Sequence, residues 1–153
     1  MKSLLLTCAF VAFGIGTLFS QENEWTLLAQ KDSVNISFQY ADCIIPDQFN
    51  QQRALFKFEN TSSKTVQIQF DIHVWDSFGC RTCNDPNSEF KRTITLKKNC
   101  VEKGQCIKYE DQAQYLFIKF DDKRYATTNP QREITNFEIQ NVVINEVNFQ
   151  STK

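Results

Sequence analysis

Histidine, glycine and proline are scarce in this sequence, which has one histidine, four glycines and three prolines in 153 residues. A single histidine at a strand position argues against a Ser-His-Asp triad. The few glycines form no phosphate-binding loop, no dinucleotide fingerprint and no G-x-S-x-G turn. We therefore expect no enzyme activity and no cofactor.

An excess of either charge is also missing. The chain has 17 basic and 18 acidic residues, for a net charge of −1. Nucleic-acid binding and docking to an anionic membrane both depend on clustered positive charge. A nearly neutral surface argues against either kind of partner.

The one long hydrophobic run lies at the N-terminus. After a lysine at position 2, Leu4–Phe19 contains no charged residue. Such a run is typical of a secretory signal peptide and is short for a membrane span. We expect cleavage between Ser20 and Gln21, which removes residues 1–20 and leaves 21–153 as a single domain with no transmembrane span. The protein would be secreted or periplasmic, and an uncleaved anchor helix is the alternative.

Alternation of apolar and polar residues dominates the rest of the chain. It is clearest in Ala54–Trp75, where two alternating stretches flank the polar link Asn60–Lys64. Alternation with a period of two predicts strands with one buried face. A short polar link is typical of antiparallel neighbours, so this stretch predicts a long β-hairpin.

Five further strands follow from the same pattern. They are Glu22–Ala29, Val34–Cys43, Phe90–Leu96, Leu116–Phe120 and a last strand that starts at Ile134. Arg92 interrupts an apolar stripe, which predicts an edge strand, whereas two apolar faces predict that Leu116–Phe120 is central. A change of phase at Gln140–Asn141 predicts a bulge. A short irregular strand near Cys106–Tyr109 is a further expectation.

About seven strands and no amphipathic helix favour an all-β fold. The spacing of the turns predicts a two-sheet antiparallel sandwich with immunoglobulin-like or fibronectin-III-like architecture. A small barrel is the alternative.

Five cysteines lie beyond the leader, namely Cys43, Cys80, Cys83, Cys100 and Cys106. Export to an oxidising compartment favours disulfides, and an odd count leaves one thiol free. The expected strand directions place the first three cysteines at one end of the sandwich and the last two at the other. This predicts one bridge among the first three and a Cys100–Cys106 bridge.

The spacing Cys80-x-x-Cys83 permits two other interpretations. Arg81 between the two thiols would lower a thiol pKa, as redox motifs require, but no helix follows the motif. Cys100 and Cys106 would complete a four-thiolate zinc site, but their spacing is too wide. We expect structural disulfides and no metal, with redox or metal handling as the alternative.

Two aromatic residues mark a candidate binding surface. Trp75 ends the predicted hairpin and Phe78 lies in the long loop Asp76–Glu89, at the same end as Tyr40. Loops at one end of a sandwich are a common place for partner binding. Packing of Trp75 beneath its own loop is the alternative.

Asn35 and Asn60 each begin an N-x-Ser/Thr glycosylation motif. Acceptor asparagines lie on the surface. Asn60 falls on the expected turn, so it is the better candidate of the two.

The overall layout resembles small exported β-sandwich proteins of Bacteroidetes-type Gram-negative bacteria. The features that carry the resemblance are Phe19–Gln21, Tyr40–Cys43, Leu55–Thr61 and a Val-Trp-Asp segment followed by Cys80-x-x-Cys83. The resemblance implies a fold and a location but no activity and no functional residue. We expect a non-enzymatic binding or accessory envelope protein whose partner is a protein or a glycan.

Overall fold

The computed structural model describes residues 24–46, 50–83, 85, 90–108, 110–121 and 133–147. The predicted signal peptide and its cleavage site at Ser20 and Gln21 lie outside these ranges. The described residues form nine strands and one short 3-10 turn, Gln112–Gln114. The strands are β1 (Thr26–Lys31), β2 (Val34–Cys43), β3 (Gln51–Asn60), β4 (Val66–Asp76), β5 (Gly79–Cys80), β6 (Lys91–Leu96), β7 (Cys100–Lys103), β8 (Tyr115–Phe120) and β9 (Asn136–Glu146).

The strands form two antiparallel sheets, as predicted. In the first sheet β1, β2 and β3 are neighbours, and the far edge of β3 pairs with β8 near its start and with β7 near its end. In the second sheet β4 pairs with β9 along one edge and with β6 and β5 along the other. The prediction of a two-sheet sandwich is confirmed, with nine strands in the described ranges in place of about seven.

The core lies between the sheets and is built from the alternating stripes. Ala54, Phe56 and Phe58 of β3 are fully buried, as are Ile68, Ile72 and Val74 of β4. The rings of Phe58 and Phe70 lie 5.5 Å apart and join the two sheets. Phe137 of β9 packs edge-on against Phe38 of β2 at 5.0 Å. The apolar stripes predicted from the sequence therefore form this core.

The predicted hairpin over Ala54–Trp75 is wrong, although both of its strands are present. β3 and β4 belong to different sheets, and the link between them crosses from one sheet to the other. The crossing lets the apolar face of β3 pack directly on the apolar face of β4. In a hairpin, the apolar stripes of both strands would lie on the same face of one sheet, and another element would have to bury them.

The buried side chain of Asn60 stabilises this crossing. Its amide nitrogen donates to the backbone oxygens of Lys64 at 2.8 Å and Lys97 at 2.9 Å. Its carbonyl oxygen accepts from the backbone N–H and the hydroxyl of Ser62 at 3.0 and 2.8 Å. With 1% of its surface exposed, the side chain of Asn60 is not accessible for glycosylation in the folded chain.

The two expectations about strand position had opposite outcomes. Among the described strands β6 pairs only with β4, so the predicted edge strand over Phe90–Leu96 is confirmed. β8 pairs only with β3 there, so the prediction that it is central is wrong. The outer face of β8 is apolar because other side chains cover it. Tyr115 lies under the guanidinium of Arg53 at 4.1 Å, and Phe117 packs on Phe120 at 4.7 Å.

Three smaller expectations about strands also have clear outcomes. The bulge predicted at Gln140–Asn141 is confirmed, since the register with β4 shifts there and Asn141 has a positive φ of 52°. In β1 a second bulge leaves Leu27 56% exposed, so Leu28 packs on the core in its place. The irregular strand expected near Cys106–Tyr109 is wrong for 106–108, because the chain pairs earlier, as β7.

The disulfide pairing differs from the prediction in one bridge. Cys80 and Cys83 are joined, whereas Cys106 bonds to Cys43 and leaves Cys100 as the free thiol. The prediction of a Cys100–Cys106 bridge fails because β7 runs back along β3 and carries Cys106 to the far end. In the chain-entropy account, a bridge between residues 63 apart stabilises by about 4 kcal/mol, against about 2 kcal/mol for a short loop.

The segment after β7 crosses the outer face of the first sheet, and Gly104 permits its close approach. The N–H of Gly104 donates to the backbone oxygen of Phe56 at 2.8 Å. A Cβ at this position would overlap the carbonyl oxygen of Gln114 and lie 3.1 Å from its carbon. The Cys43–Cys106 bridge then holds the segment against the end of β2.

We expect Asn60→Ala to destabilise the fold by about 3 kcal/mol, because it removes the four hydrogen bonds of a buried amide. Asn35→Ala is the matched control, since the Asn35 amide makes a single 3.4 Å hydrogen bond to Glu59, and it should cost less than about 1 kcal/mol. Urea denaturation measures both values. Equal losses for the two variants would contradict the role given to Asn60.

We expect Gly104→Ala to destabilise the fold by about 1–3 kcal/mol, because the added methyl group meets backbone atoms that cannot move independently. Thermal unfolding followed by circular dichroism measures the loss. Gln105→Ala, one residue further on at an exposed position, is the control and should leave the midpoint nearly unchanged. A Gly104→Ala midpoint equal to that of the wild type would show that the segment does not pack closely.

Candidate functional site

The two sides of the sandwich differ. On one side β1 and β9 approach, and the ammonium group of Lys31 donates to the backbone oxygen of Val142. On the other side β6 and β8 face each other, each paired along only one edge in the described ranges. A cleft of about 510 Å³ lies between these two strands. We call it the β6–β8 cleft.

One wall of the β6–β8 cleft is the edge of β8. All five residues of Tyr115–Lys119 line it. Successive side chains of a strand point to opposite faces of the sheet. Leu116 and Ile118 indeed point into the core, whereas Tyr115 and Phe117 lie on the other face. Side chains on two opposite faces cannot all point into one cleft. The backbone edge of β8 therefore forms this wall.

The opposite wall comes from β6 and the residue before it. Phe90 and Arg92 line the cleft and share the face of β6 that further on carries Ile94 and Leu96. Arg92 therefore occupies an inward-facing position that the apolar stripe would otherwise fill. A guanidinium group at such a position is explained by the cleft beside it.

Arg81 enters the cleft from the loop that follows β5. Its N–H donates to the backbone oxygen of Val74 at 2.8 Å, which extends the pairing with β4 by one residue. Its Nε lies 3.9 Å from Oδ2 of Asp76, whose side chain is fully buried, while the side chain of Arg81 is 40% exposed. The buried carboxylate thus lies beside a guanidinium group that solvent can reach.

Thr82 fills a gap in the second sheet between β5 and β6. The backbone N–H of Val74 donates to its hydroxyl oxygen at 3.0 Å, and the hydroxyl donates to the backbone oxygen of Ile72 at 3.0 Å. One side chain therefore satisfies two backbone groups of β4 that none of the described strands pairs. It holds the loop, and with it Arg81, against the sheet.

A disulfide closes the same loop. Cys80 and Cys83 are bonded, with their Cα atoms 5.8 Å apart. The N–H of Cys83 donates to Sγ of Cys80 at 3.1 Å. The bridge and this hydrogen bond together hold the loop that carries Arg81.

Positive charge predominates at the cleft. Among the described residues, Arg81, Arg92 and Lys119 line it, together with one carboxylate, Glu133. The whole chain, by contrast, has 17 basic and 18 acidic residues. The β6–β8 cleft is therefore a local cationic site on a protein with a slight negative charge.

The predicted binding aromatics do not line the β6–β8 cleft. Trp75 is half-buried on β4, where its ring lies 6.2 Å from that of His73. Phe78 is 78% exposed in the turn between β4 and β5. Tyr40 packs edge-on against Phe38 at 5.4 Å. The predicted end of the sandwich thus presents Phe78 to solvent, while the concave surface is on the side.

Two groups with shifted pKa values lie outside the cleft. Burial raises the pKa of the Tyr40 hydroxyl. Burial also raises the pKa of the Glu110 carboxyl, although the N–H of Gln105 and the charge of Arg53 act in the opposite direction. Across the described ranges, no three His, Cys, Asp or Glu residues are grouped so that they could hold a metal ion.

The cleft is not predicted from the sequence, although the sequence contains two signals for it. The first is Arg92, which breaks the apolar stripe of β6 at an inward-facing position. The second is the apolar character of β8 on both faces, combined with Lys119 near its end. Neither signal is specific, because both also fit an ordinary edge strand and a buried central strand. The partner sheet decides between these possibilities.

Comparison with known proteins gives no relative for this chain. No family profile, no curated protein and no solved structure matches it. Over the ranges that the structure describes, no helix has the length and the apolar character needed to cross a membrane.

We expect Thr82→Val to destabilise the protein by about 2–4 kcal/mol, because it leaves the N–H of Val74 and the oxygen of Ile72 buried without partners. Thr82→Ser retains the hydroxyl group and should cost less than about 1 kcal/mol, through the lost methyl group. Urea denaturation distinguishes the two. The bridging role is wrong if the valine variant is as stable as the serine variant.

Proposed function

We propose that this chain is an exported, non-enzymatic binding domain that takes its ligand in the β6–β8 cleft. The observation that carries the proposal is the cleft itself, a concavity of about 510 Å³ with aromatic walls and three cationic side chains. Ligand sites in proteins are typically apolar clefts of about 300–1,000 Å³ with a few polar groups that set orientation. The volume of the cleft falls in this range, and its lining combines apolar side chains with polar groups.

The proposed location outside the cell rests on the leader and the cysteines. Residues 1–20 have the composition of a signal peptide, and four of the other five cysteines are bonded in pairs. Structural disulfides persist in oxidising compartments. The resemblance to exported proteins of Bacteroidetes-type bacteria agrees with an accessory role in the cell envelope.

A second candidate function is thiol–disulfide exchange at Cys80 and Cys83. The specific observation in its favour is the Cys83 N–H that contacts Sγ of Cys80, with Arg81 as the neighbouring cation. In such an exchange, two thiols of a substrate protein would lose two electrons and two protons, and the Cys80–Cys83 disulfide would gain them as two thiols. The absence of a helix after the motif weighs against this candidate.

Chemical-shift mapping by NMR tests the binding proposal on the ¹⁵N-labelled mature chain. The probes are a mixture of eight-residue peptides and a mixture of acidic and neutral oligosaccharides, each added at millimolar concentration. We expect at least one mixture to shift the amide resonances of 115–119 and of Arg92. Shifts confined to Phe78 and its neighbours, or no shifts with either mixture, would overturn the proposed site.

Mass spectrometry after alkylation tests the exchange candidate. The oxidised protein is incubated with a glutathione buffer poised at a periplasmic potential and then treated with iodoacetamide. If Cys80 and Cys83 exchange thiols, they are alkylated while Cys43 and Cys106 remain protected. If both disulfides stay closed, the Cys80–Cys83 bridge is structural and serves to hold Arg81.

A further inference from the structure

The exposed strand edge narrows the class of ligand that the β6–β8 cleft would take. The outer edge of β8 has no partner strand among the described residues, and it forms one complete wall of the cleft. Unpaired N–H and C=O groups along an edge can accept a further strand. An extended peptide is the ligand whose own backbone matches such a row of groups.

The alternation of side chains along β8 fits the same kind of ligand. A peptide strand beside β8 would present its own side chains alternately to the two faces of the sheet. One set would enter the cleft between the sheets, near Phe90 and Ile134, and the other would lie beside Phe117 and Lys119. The cleft therefore offers apolar contact to one set and a cation to the other.

The positive charges of the cleft favour acidic peptides over neutral and basic ones. Arg81 is an exposed cation and Lys119 a half-buried one, and Glu133 is the single acid among the lining residues that the structure describes. The guanidinium of Arg81 lies 3.9 Å from the buried carboxylate of Asp76 and is 40% exposed, so a ligand can reach it. Guanidinium groups bind carboxylates through charge-assisted hydrogen bonds. Acidic peptides would also approach such a site faster, and salt would weaken their binding.

We propose that the β6–β8 cleft binds an extended acidic peptide segment of a partner protein, which adds a strand to the outer edge of β8. The backbone of the peptide pairs with Tyr115–Lys119, and its carboxylates contact Arg81 and Lys119. This inference rests on the proposed binding function and specifies the ligand of the same cleft.

Four labelled peptides of eight residues test the proposal against the oxidised mature chain. The first alternates valine with glutamate, and the second alternates valine with glutamine. The third alternates valine with lysine. The fourth is the acidic peptide with alternate backbone nitrogens methylated, which removes the donors of one edge. Fluorescence anisotropy at low and high salt measures affinity, and chemical-shift mapping locates each peptide.

We expect the acidic peptide to bind at the cleft and the glutamine peptide to bind about tenfold more weakly, as expected for the loss of charge-assisted hydrogen bonds. The lysine and methylated peptides should not bind measurably. Lys119→Gln and Arg81→Gln should each weaken the acidic peptide about tenfold. Lys98→Gln is the matched control, because it removes the same charge at an exposed position away from the cleft, and it should change affinity less than twofold.

Other outcomes separate this inference from the proposed function. Equal affinity for the glutamate and glutamine peptides would overturn the choice of an acidic ligand. Undiminished binding of the methylated peptide would overturn strand addition. An acidic oligosaccharide that shifts 115–119 while no peptide does so would overturn the peptide proposal and leave the binding function supported. If no probe shifts these residues, both proposals fail.

Discussion

The face-to-face packing of β3 on β4 is the contact on which the rest of this structure depends. The rings of Phe58 and Phe70 meet across the sheets at 5.5 Å, and the stripes on either side of them are fully buried. Because the two strands do not pair with each other, each keeps both edges for other partners. β3 accepts β2, β7 and β8, while β4 accepts β5, β6 and β9. The buried amide of Asn60 satisfies the backbone where the chain crosses between them.

The β6–β8 cleft results from the arrangement of the edge strands of the two sheets. One pair of edge strands, β1 and β9, closes the sandwich, whereas β6 and β8 leave space between the sheets. The loop after β5 then places a cation at this opening. Two local constraints hold this loop, which are the Cys80–Cys83 bridge and the hydroxyl group of Thr82. The buried carboxylate of Asp76 lies 3.9 Å from Nε of Arg81. The cleft is thus part of the framework of the fold and not of a surface loop alone.

The predictions that failed concern partners that are distant in sequence. The hairpin was predicted because a short polar link joins two alternating strands, and an inter-sheet crossing has the same local pattern. The sequence predicts a Cys100–Cys106 bridge because the expected strand directions place both cysteines at one end, whereas β7 runs back along β3. The central position of β8 was predicted from its two apolar faces, and the cover on the outer face is a cation–π contact with Arg53. The cleft was overlooked for the same reason, since its walls come from different sheets.

Sequence alone determined where the longer strands form, most of the buried stripes and that the fold is an all-β sandwich. These properties are local, because alternation with a period of two places every second side chain on one face whatever the neighbours are. Tertiary structure decided which strands pair, which cysteines bond and where the cleft lies. These three features depend on how apolar stripes that are far apart in the chain pack together, and several strand arrangements would bury the same residues. The physical reason is that hydrophobic burial is non-directional, whereas strand pairing, disulfides and a ligand site each require specific partners.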